Sequence, residues 1–314
     1  MPYTRREFAK LTCGALPALA VAPAVAAYAQ SKPGSVVEGV NLGTITYSYR
    51  SMPDQSAEAI LRYVVDSGIS AIEFMGDPVE AFAGAPRVSR QDRATGPDAN
   101  AARREAGQKL TAWRTSASMD RFKALRKIFN DAGVTIFAWK QLSPDMSDAE
   151  MEYVFDVAEA LGCTHTTLEL VDDVAQLKRI GALAEKRKIY AAYHTHLQGS
   201  ITAFDQAFAV SRANMANVDL GHYVAAGGDP MQFLDRFHAR IASFHLKDRQ
   251  TPAHGQGNLP WGQGDTPIAA ILQRVKQNRW TMPVSIELEY DVPAGSDAVK
   301  EVVKCLDFCR RALR

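Results

Sequence analysis

The sequence lacks the features that mark several common classes of protein. Its 36 Lys and Arg residues are balanced by 35 Asp and Glu residues, so its charge does not predict a nucleic-acid partner. It has four cysteines in 314 residues, and their spacing does not match a zinc cluster. Three of them, Cys163, Cys305 and Cys309, follow the N-terminal segment. We expect these three to be buried thiols.

The N-terminal segment has no uninterrupted apolar run of the length that a stable membrane anchor needs. Its apolar stretch, "LTCGALPALAVAPAVAAYAQ", contains two prolines and many small residues. The preceding "YTRREFAK" carries the arginine pair that is typical of a twin-arginine export signal. The stretch closes on "AYA", a small-x-small cleavage pattern. The sequence therefore predicts a signal peptide at 1–29 and a periplasmic or secreted protein of residues 30–314.

After the signal, the sequence alternates between strand-like and helical segments. The apolar runs typical of strands are "EGVNLGTITYS", "ISAIEFMG", "VTIFAWK", "HTTLEL", "IYAAYHTH", "ANVDLG", "IASFHLKD" and "VSIELEY". Segments of helical period separate them, and a last helical segment closes the chain. Eight strand-helix units predict an α/β fold of one domain, a (β/α)8 TIM barrel. A doubly wound open sheet is the second choice, because no glycine-rich phosphate loop follows the first strand.

One connection is much longer than the others. Residues 76–118 follow the second predicted strand and exceed an ordinary barrel loop. This loop leaves the C-terminal face of the barrel, where active sites are built. We expect it to form a lid that brings Trp113 or Arg114 to a substrate. The alternative is a passive insertion.

Ionisable side chains recur at the C-terminal ends of the later strands, which is where barrel chemistry is carried out. They are Glu169 on the fourth strand, His194 and His196 on the fifth, Asp219 and the following His222 on the sixth, His245 and Lys247 on the seventh, and Glu287 and Glu289 on the eighth. The outer face of a parallel barrel is buried under helices, so charged residues are expected to face the barrel axis. Converging carboxylates and imidazoles without thiolates predict a divalent cation.

The C-terminal half also resembles a known superfamily. "VDLGHYVAAGGDPMQFLDRFHARIASFHLKD", "WGQGDTPIAAIL" and "MPVSIELEY" resemble consecutive segments of inosose dehydratases and sugar isomerases/epimerases of the xylose-isomerase-like superfamily. The resemblance runs from about residue 38 to the end. It implies one metal ion, Mn²⁺ first and Co²⁺, Mg²⁺ or Zn²⁺ as alternatives. Asp219, His245 and Glu287 match the metal ligands of the family. Relatives have glutamate where this chain has His194, so the fourth ligand is either His194 or Glu169.

The resemblance also implies chemistry at a carbonyl group of a small carbohydrate. A bound ion acidifies the neighbouring C–H, and Glu169, His196 or Glu287 would remove the proton. Lys247 would steady the oxyanion or protonate a leaving oxygen, or it pairs with Asp248 instead. Further substrate contacts are expected from a set of nearby side chains: Trp113, Trp139, Lys140, His222 and Glu289.

The sequence is compatible with several functions. Export favours a 3-keto-glycoside lyase that works by β-elimination. A ketose 3-epimerase or isomerase is the alternative within the same chemistry. A two-carboxylate glycoside hydrolase is a further alternative. A periplasmic sugar- or metal-binding protein without catalysis belongs to another class. Homo-oligomerisation is left open.

Overall fold

The computed structural model describes residues 32–86 and 97–314, so the expected signal peptide at 1–29 lies outside the described residues. The described chain forms a closed barrel in which β1 pairs in parallel with both β2 and β8. The predicted single-domain (β/α)8 barrel is confirmed. Its strands are β1 (Val40–Ile45), β2 (Ala71–Met75), β3 (Thr135–Lys140), β4 (His165–Glu169), β5 (Tyr190–His194), β6 (Asn214–Asp219), β7 (Ile241–Leu246) and β8 (Val284–Ile286).

Helices connect the strands and surround them. They are α1 (Ala57–Asp66), α2 (Gly76–Ala83), α3 (Pro97–Arg114), α4 (Asp120–Asp131), α5 (Asp148–Leu161), α6 (Val174–Arg187), α7 (Asp205–Val210), α8 (Leu220–Ala225), α9 (Pro230–Phe237), α10 (Ile268–Asn278) and α11 (Ala298–Leu313). Short 3-10 turns lie at Thr46–Tyr49, His238–Arg240 and Pro252–His254, and two-residue strands at Val36–Val37, Asp248–Arg249 and Asn258–Leu259. Within 32–86 and 97–314, every helix is too short or too polar to cross a membrane.

The helix boundaries follow from capping residues in the sequence. At the start of α5, the Ser147 hydroxyl accepts a hydrogen bond from the backbone N–H of Glu150, whose side chain reaches back to the Ser147 backbone. The same helix ends at Gly162, which has a φ of +78°, a conformation that glycine adopts without steric cost. Local sequence therefore sets where this helix begins and ends before any tertiary contact forms.

The inside and the outside of the barrel differ in polarity. The side chains packed between strands and helices are apolar, among them Phe74, Leu168, Val218 and Phe244. The axis instead holds fully buried polar side chains that bond across the barrel: His165 Nε2 lies 2.8 Å from Ser243 Oγ, and Thr167 Oγ1 donates to Glu73 Oε1 over 2.7 Å. The cysteines predicted to be buried thiols, Cys163, Cys305 and Cys309, are buried and free.

An irregularity between β2 and β3 decides which residues of β3 face the axis. Ile72 pairs with Ile136 but Glu73 pairs with Ala138, so Phe137 is an extra residue in the pairing. Past this bulge, Lys140 pairs with Thr167, which faces the axis. Trp139 therefore points to the outer layer, where its ring lies 6.0 Å from that of Tyr153 on α5.

The described part of the long insertion forms α2 and α3, and α3 packs on the outer helices. Arg114 binds both carboxylate oxygens of Glu80 on α2, at 2.8 and 3.0 Å, and lies 3.5 Å from Glu150 on α5. The ring of Trp113 lies 6.0 Å from that of Tyr153. The expectation that Trp113 or Arg114 reaches a substrate is therefore corrected, because a buried guanidinium stays with its carboxylates. Residues 87–96 lie outside the described part.

Candidate metal centre

Five ionisable side chains meet at the carboxyl ends of β5 to β8, and we call them the inner cluster: His194, Asp219, His245, Lys247 and Glu287. All are almost inaccessible, with exposed fractions between 0% and 5%. Asp219 and His245 are paired residues of β6 and β7, which sets them side by side. The prediction that these strand ends face the axis is confirmed by their mutual contacts. Charges at this depth must be compensated by one another or by an ion.

His245 lies between carboxylates. Its Nε2 lies 2.7 Å from Glu73 Oε2, and its Nδ1 lies 3.2 Å from Glu287 Oε2 and 3.9 Å from Asp219 Oδ2. Burial disfavours the charged imidazole, but Glu73 and Glu287 outweigh it and raise the pKa of His245 to about 10. Without a bound cation, this imidazole carries the positive charge that the carboxylates require.

Lys247 supplies a second positive charge. Its Nζ lies 2.8 Å from Asp219 Oδ2, 2.9 Å from Glu287 Oε2 and 2.6 Å from Glu289 Oε2. Burial opposes the ammonium form, but the three carboxylates raise the pKa of Lys247 above its usual value. Lys247 thus points to the axis and does not pair with Asp248, which accepts backbone N–H groups of the loop at Gly262–Gly264 instead.

Asp219 has one oxygen that the protein does not fully use. Its Oδ1 accepts the backbone N–H of His222 over 2.8 Å, which caps α8. Its Oδ2 is buried and makes no hydrogen bond to any described residue, although it forms the ion pair with Lys247. Burial raises the pKa of Asp219 to about 7, and Lys247 counters that rise. A buried carboxylate oxygen without a hydrogen bond is suited to bind a cation.

His194, rather than Glu169, lies within the inner cluster. One ring nitrogen of His194, one carboxylate oxygen of Asp219 and one ring nitrogen of His245 all lie within 4.8 Å of one another. His194 Nδ1 lies 3.1 Å from Asn217 Oδ1, so Nε2 is the ring nitrogen left for the cluster. Burial and the nearby Lys140 lower the pKa of His194 to about 3, which keeps the ring neutral as a metal ligand must be.

Glu169 belongs to a second, more exposed group, which we call the rim group: Lys140, Glu169 and His196. Glu169 Oε1 lies 3.1 Å from Lys140 Nζ, and Oε2 lies 3.0 Å from His196 Nε2. The side chains of Glu169 and His196 are 51% and 58% exposed. Partial burial raises the pKa of Glu169, but His196 and Lys140 outweigh it and lower that pKa to about 2. The hydrogen bond from His196 to Glu169 raises the pKa of His196.

His222 and Glu289 lie between the two groups. His222 Nε2 lies 2.7 Å from Lys247 Nζ and 3.8 Å from Glu289 Oε2, and its Nδ1 contacts Arg249. Burial and Lys247 lower the pKa of His222 to about 2, so the ring is neutral. Its ring centroid is 4.9 Å from that of His196, which places both at the mouth of the barrel.

The structure separates the predicted site residues into those it brings together and those it does not. Lys140, Glu169, His196, His222 and Glu289 lie around the inner cluster. Trp139 on β3 does not, because the bulge turns it outward. Trp113 also packs on the outer helices, so the predicted contacts of both tryptophans with substrate are corrected.

Two polar residues below the inner cluster were missed from the sequence. Glu73 on β2 is fully buried and contacts His245, and Asn217 on β6 contacts both Glu73 and His194. A signal for Glu73 was present, because a charged residue between Ile72 and Phe74 interrupts an apolar strand. The sequence alone could not show that its partner lies 172 positions away.

The residues present fit a divalent cation. His194, Asp219, His245 and Glu287 offer two imidazole nitrogens and two carboxylates from four neighbouring strands. This mixed set is one that Mn²⁺, Co²⁺ and Zn²⁺ accept. Asp219 Oδ2 has no hydrogen bond to any described residue, and the Lys247 ammonium 2.8 Å away is the positive charge now beside it.

Together, the closed parallel barrel and the imidazole and carboxylate groups at its strand ends define the class as a (β/α)8 barrel with a polar site at its C-terminal face. The chain belongs to the xylose isomerase-like TIM barrel family, whose model matches residues 61–309. No curated protein sequence matches the chain.

Solved structures with the same fold come from several bacteria. The probable 3-DHS dehydratase of petrobactin synthesis from Bacillus anthracis is 14% identical, with a TM-score of 0.60 over 85% of this chain and 98% of that one. A sugar phosphate isomerase/epimerase from Parabacteroides distasonis is 16% identical, with a TM-score of 0.58 over 91% and 97%. A D-psicose 3-epimerase from Clostridium cellulolyticum is 11% identical, with a TM-score of 0.58 over 88% and 100%. At these identities the likeness concerns the fold.

Proposed function

We propose that this protein is an exported, divalent-metal-dependent enzyme that acts on a carbohydrate by removing a proton next to a carbonyl group. The observation that carries the proposal is the pairing of two groups at the barrel mouth. Four buried side chains carry donor atoms suited to a cation, and the half-exposed Glu169 and His196 lie beside them at the rim. A protein that only binds sugar would not need both.

The metal ligands in this proposal are His194, Asp219, His245 and Glu287, with Mn²⁺ as the preferred ion and Co²⁺, Mg²⁺ or Zn²⁺ as alternatives. The ion would polarise the substrate carbonyl and so acidify the adjacent C–H. Glu169 is not a metal ligand in this proposal, because Lys140 and His196 hold its carboxylate at the rim.

The rim group supplies the base. Glu169 orients His196 through the 3.0 Å contact with its Nε2 and increases its basicity. His196 is half exposed, so its ring can accept a proton from a substrate and pass it to water. Lys247 Nζ contacts His222 and Glu289, and the His222 ring lies 4.9 Å from that of His196. In this proposal Lys247 is the proton donor for the leaving oxygen.

The preferred reaction is β-elimination from a 3-keto-glycoside. His196 removes the proton at C2, a C1–C2 double bond forms, the C1–O bond breaks, and Lys247 returns a proton to the departing oxygen. The 3-ketone is needed because the C–H of an unoxidised sugar is far too weakly acidic for imidazole. The expected export of residues 30–314 supports an extracellular glycoside as substrate. Replacing the arginine pair of "YTRREFAK" by lysine should keep the protein in the cytoplasm.

A ketose 3-epimerase is the second candidate, supported by the fold shared with a D-psicose 3-epimerase. It would use the same base, and the proton would return to the opposite face of the same carbon. No aglycone would then be released.

The test uses the purified, metal-loaded protein with a 3-keto-glycoside, its unoxidised parent and a panel of free ketoses, each with and without a chelator. The lyase should release aglycone from the 3-keto form alone, and chelator should stop the release. Interconversion of ketoses without aglycone release would move the protein to the epimerase function. Chelator-resistant cleavage of the parent glycoside would refute the proposal and favour a two-carboxylate hydrolase.

A further inference from the structure

Below the inner cluster lies a closed network of buried polar groups. Both oxygens of Glu73 are occupied, because Thr167 Oγ1 donates to Oε1 over 2.7 Å while His245 Nε2 and Asn217 Nδ2 lie 2.7 and 3.2 Å from Oε2. Glu73 and its three partners are 0% exposed. Because protein groups bind both of its oxygens, the Glu73 carboxylate is held in one orientation.

The contact with Glu73 determines which nitrogen of His245 faces the inner cluster. A carboxylate only accepts hydrogen bonds, so Nε2 must carry the proton that Glu73 binds. When the ring is neutral, its lone pair is then on Nδ1. That atom lies 3.2 Å from Glu287 Oε2 and 3.9 Å from Asp219 Oδ2, on the side of the proposed metal ligands.

Asn217 places the proton of His194 on the other ring nitrogen, Nδ1. His194 Nδ1 lies 3.1 Å from the side-chain oxygen of Asn217 and 3.2 Å from its backbone oxygen. The amide orientation of Asn217 is set by its nitrogen, which donates to Glu73 and to Ser243 Oγ over 3.2 and 2.7 Å. Both oxygens facing His194 are therefore acceptors, so Nδ1 carries the proton and the lone pair is on Nε2.

We infer that Glu73 and Asn217 are positioning residues that select the metal-binding nitrogen of each imidazole, Nδ1 of His245 and Nε2 of His194. The inference rests on the proposed metal-dependent function and extends it to the layer beneath the ligands. Carboxylate and carbonyl partners of this kind orient imidazole ligands and strengthen their donor atoms. Asn217 connects the two histidines, because its amide nitrogen bonds to Glu73, the partner of His245, and its amide oxygen bonds to His194.

The central variant is Glu73→Gln, which keeps the size of the side chain and removes its charge. We expect Co²⁺ affinity, measured by calorimetry, to fall roughly 10- to 100-fold, with a changed visible absorption spectrum of the bound Co²⁺. The matched control is Glu301→Gln, at a buried carboxylate whose partners are Tyr290, Ser296 and Lys304. It should lower thermal stability and leave the Co²⁺ affinity and spectrum unchanged. Equal affinity in wild type and Glu73→Gln would overturn the inference.

Should Glu73→Gln fail to fold, Thr167→Val keeps the carboxylate and removes only the hydrogen bond to Oε1. A loss of Co²⁺ affinity of roughly 3- to 10-fold is then expected, and no loss would count against the role of Glu73.

The protonated nitrogens can be read directly from ¹⁵N-histidine spectra. In the Zn²⁺-loaded protein, His245 should carry its proton on Nε2 and His194 on Nδ1, and the reverse assignment of either would overturn the inference. A wild-type protein without divalent-metal affinity would refute the proposed function. The metal-free spectrum still tests the Asn217 selection in that case, because both Asn217 oxygens beside His194 Nδ1 are hydrogen-bond acceptors. A proton on Nδ1 supports it, and a proton on Nε2 refutes it.

Discussion

His194 and His196 are two residues apart at the end of the same strand, with ring centroids 5.0 Å apart, yet their surroundings differ in every respect. His194 is buried against Asn217, and burial lowers its pKa to about 3. His196 has a side chain that is 58% exposed and bonded to Glu169, which raises its pKa. One histidine is thus kept neutral, and the other is suited to carry a proton. Depth in the barrel mouth, rather than residue type, therefore sets the exposure and the direction of the pKa shift of each imidazole.

The same division applies to the two groups as a whole. The inner cluster holds its charges by mutual contacts and by the layer below it, so a cation that binds there has to displace the Lys247 ammonium from Asp219 and Glu287. The rim group is partly solvated, so its charges are screened and its side chains can follow a substrate. Changes in the inner cluster should therefore act mainly on metal binding, and changes in the rim group mainly on turnover.

Removing a ligand of the inner cluster should abolish metal binding. In Asp219→Ala or His245→Ala, we expect the metal content of the purified protein, measured by elemental analysis, to fall to background. The physical reason is that each change removes one of the four proposed ligands, His194, Asp219, His245 and Glu287. Full metal occupancy in both variants would contradict the assignment of the site.

His194 and His196 should respond to replacement in opposite ways. His194→Ala should weaken metal affinity by roughly 100-fold or more. His196→Gln should keep the metal and lose roughly 10²- to 10⁴-fold in kcat/KM on the best substrate. His238→Gln is the control, because this histidine stacks on Trp280 just before β7, at the opposite end of the barrel. Equal metal affinities in His194→Ala and His196→Gln would remove the distinction.

Replacing Lys247 should tighten metal binding. Its ammonium lies 2.8 and 2.9 Å from Asp219 and Glu287, so it competes with a cation for the same carboxylates. We expect Lys247→Met to raise metal affinity by roughly tenfold, since one like charge is removed from a buried site. Turnover should fall in the same variant if Lys247 donates a proton. An unchanged or weaker metal affinity would show that the ammonium does not compete.

The smallest effect is expected for the pH dependence of the stability that the Glu169 carboxylate contributes. The folded-state pKa of Glu169 is about 2, below its usual value of 4.5, so its ionised form stabilises the fold above pH 4.5. That contribution is lost as the pH falls from 4.5 to 2. Glu169→Gln should therefore lower the thermal midpoint slightly at pH 6, and the difference from wild type should shrink by pH 3. A difference that does not change with pH would contradict the ion pair.

Local patterns were enough for the strands and for most of the site. Side chains alternate between the two faces of a strand, so His245 and Lys247 were placed together on the axis, and Asp219 and Glu287 with them. The strand-helix alternation predicted the barrel for the same reason, because period 2 and period 3.6 are properties of short segments. Helix ends such as Gly162 also follow from local conformational cost.

Only the tertiary structure decided the remaining points. The bulge at Phe137 depends on the register between β2 and β3, and it turns Trp139 outward and Lys140 inward. The placement of His194 within the inner cluster and of Glu169 at the rim depends on depth, and the contact between Glu73 and His245 depends on closure of the barrel. Register, depth and closure are set by which strands become neighbours. A single strand carries no information about its neighbours, so its sequence gives the face of a side chain but not its partner.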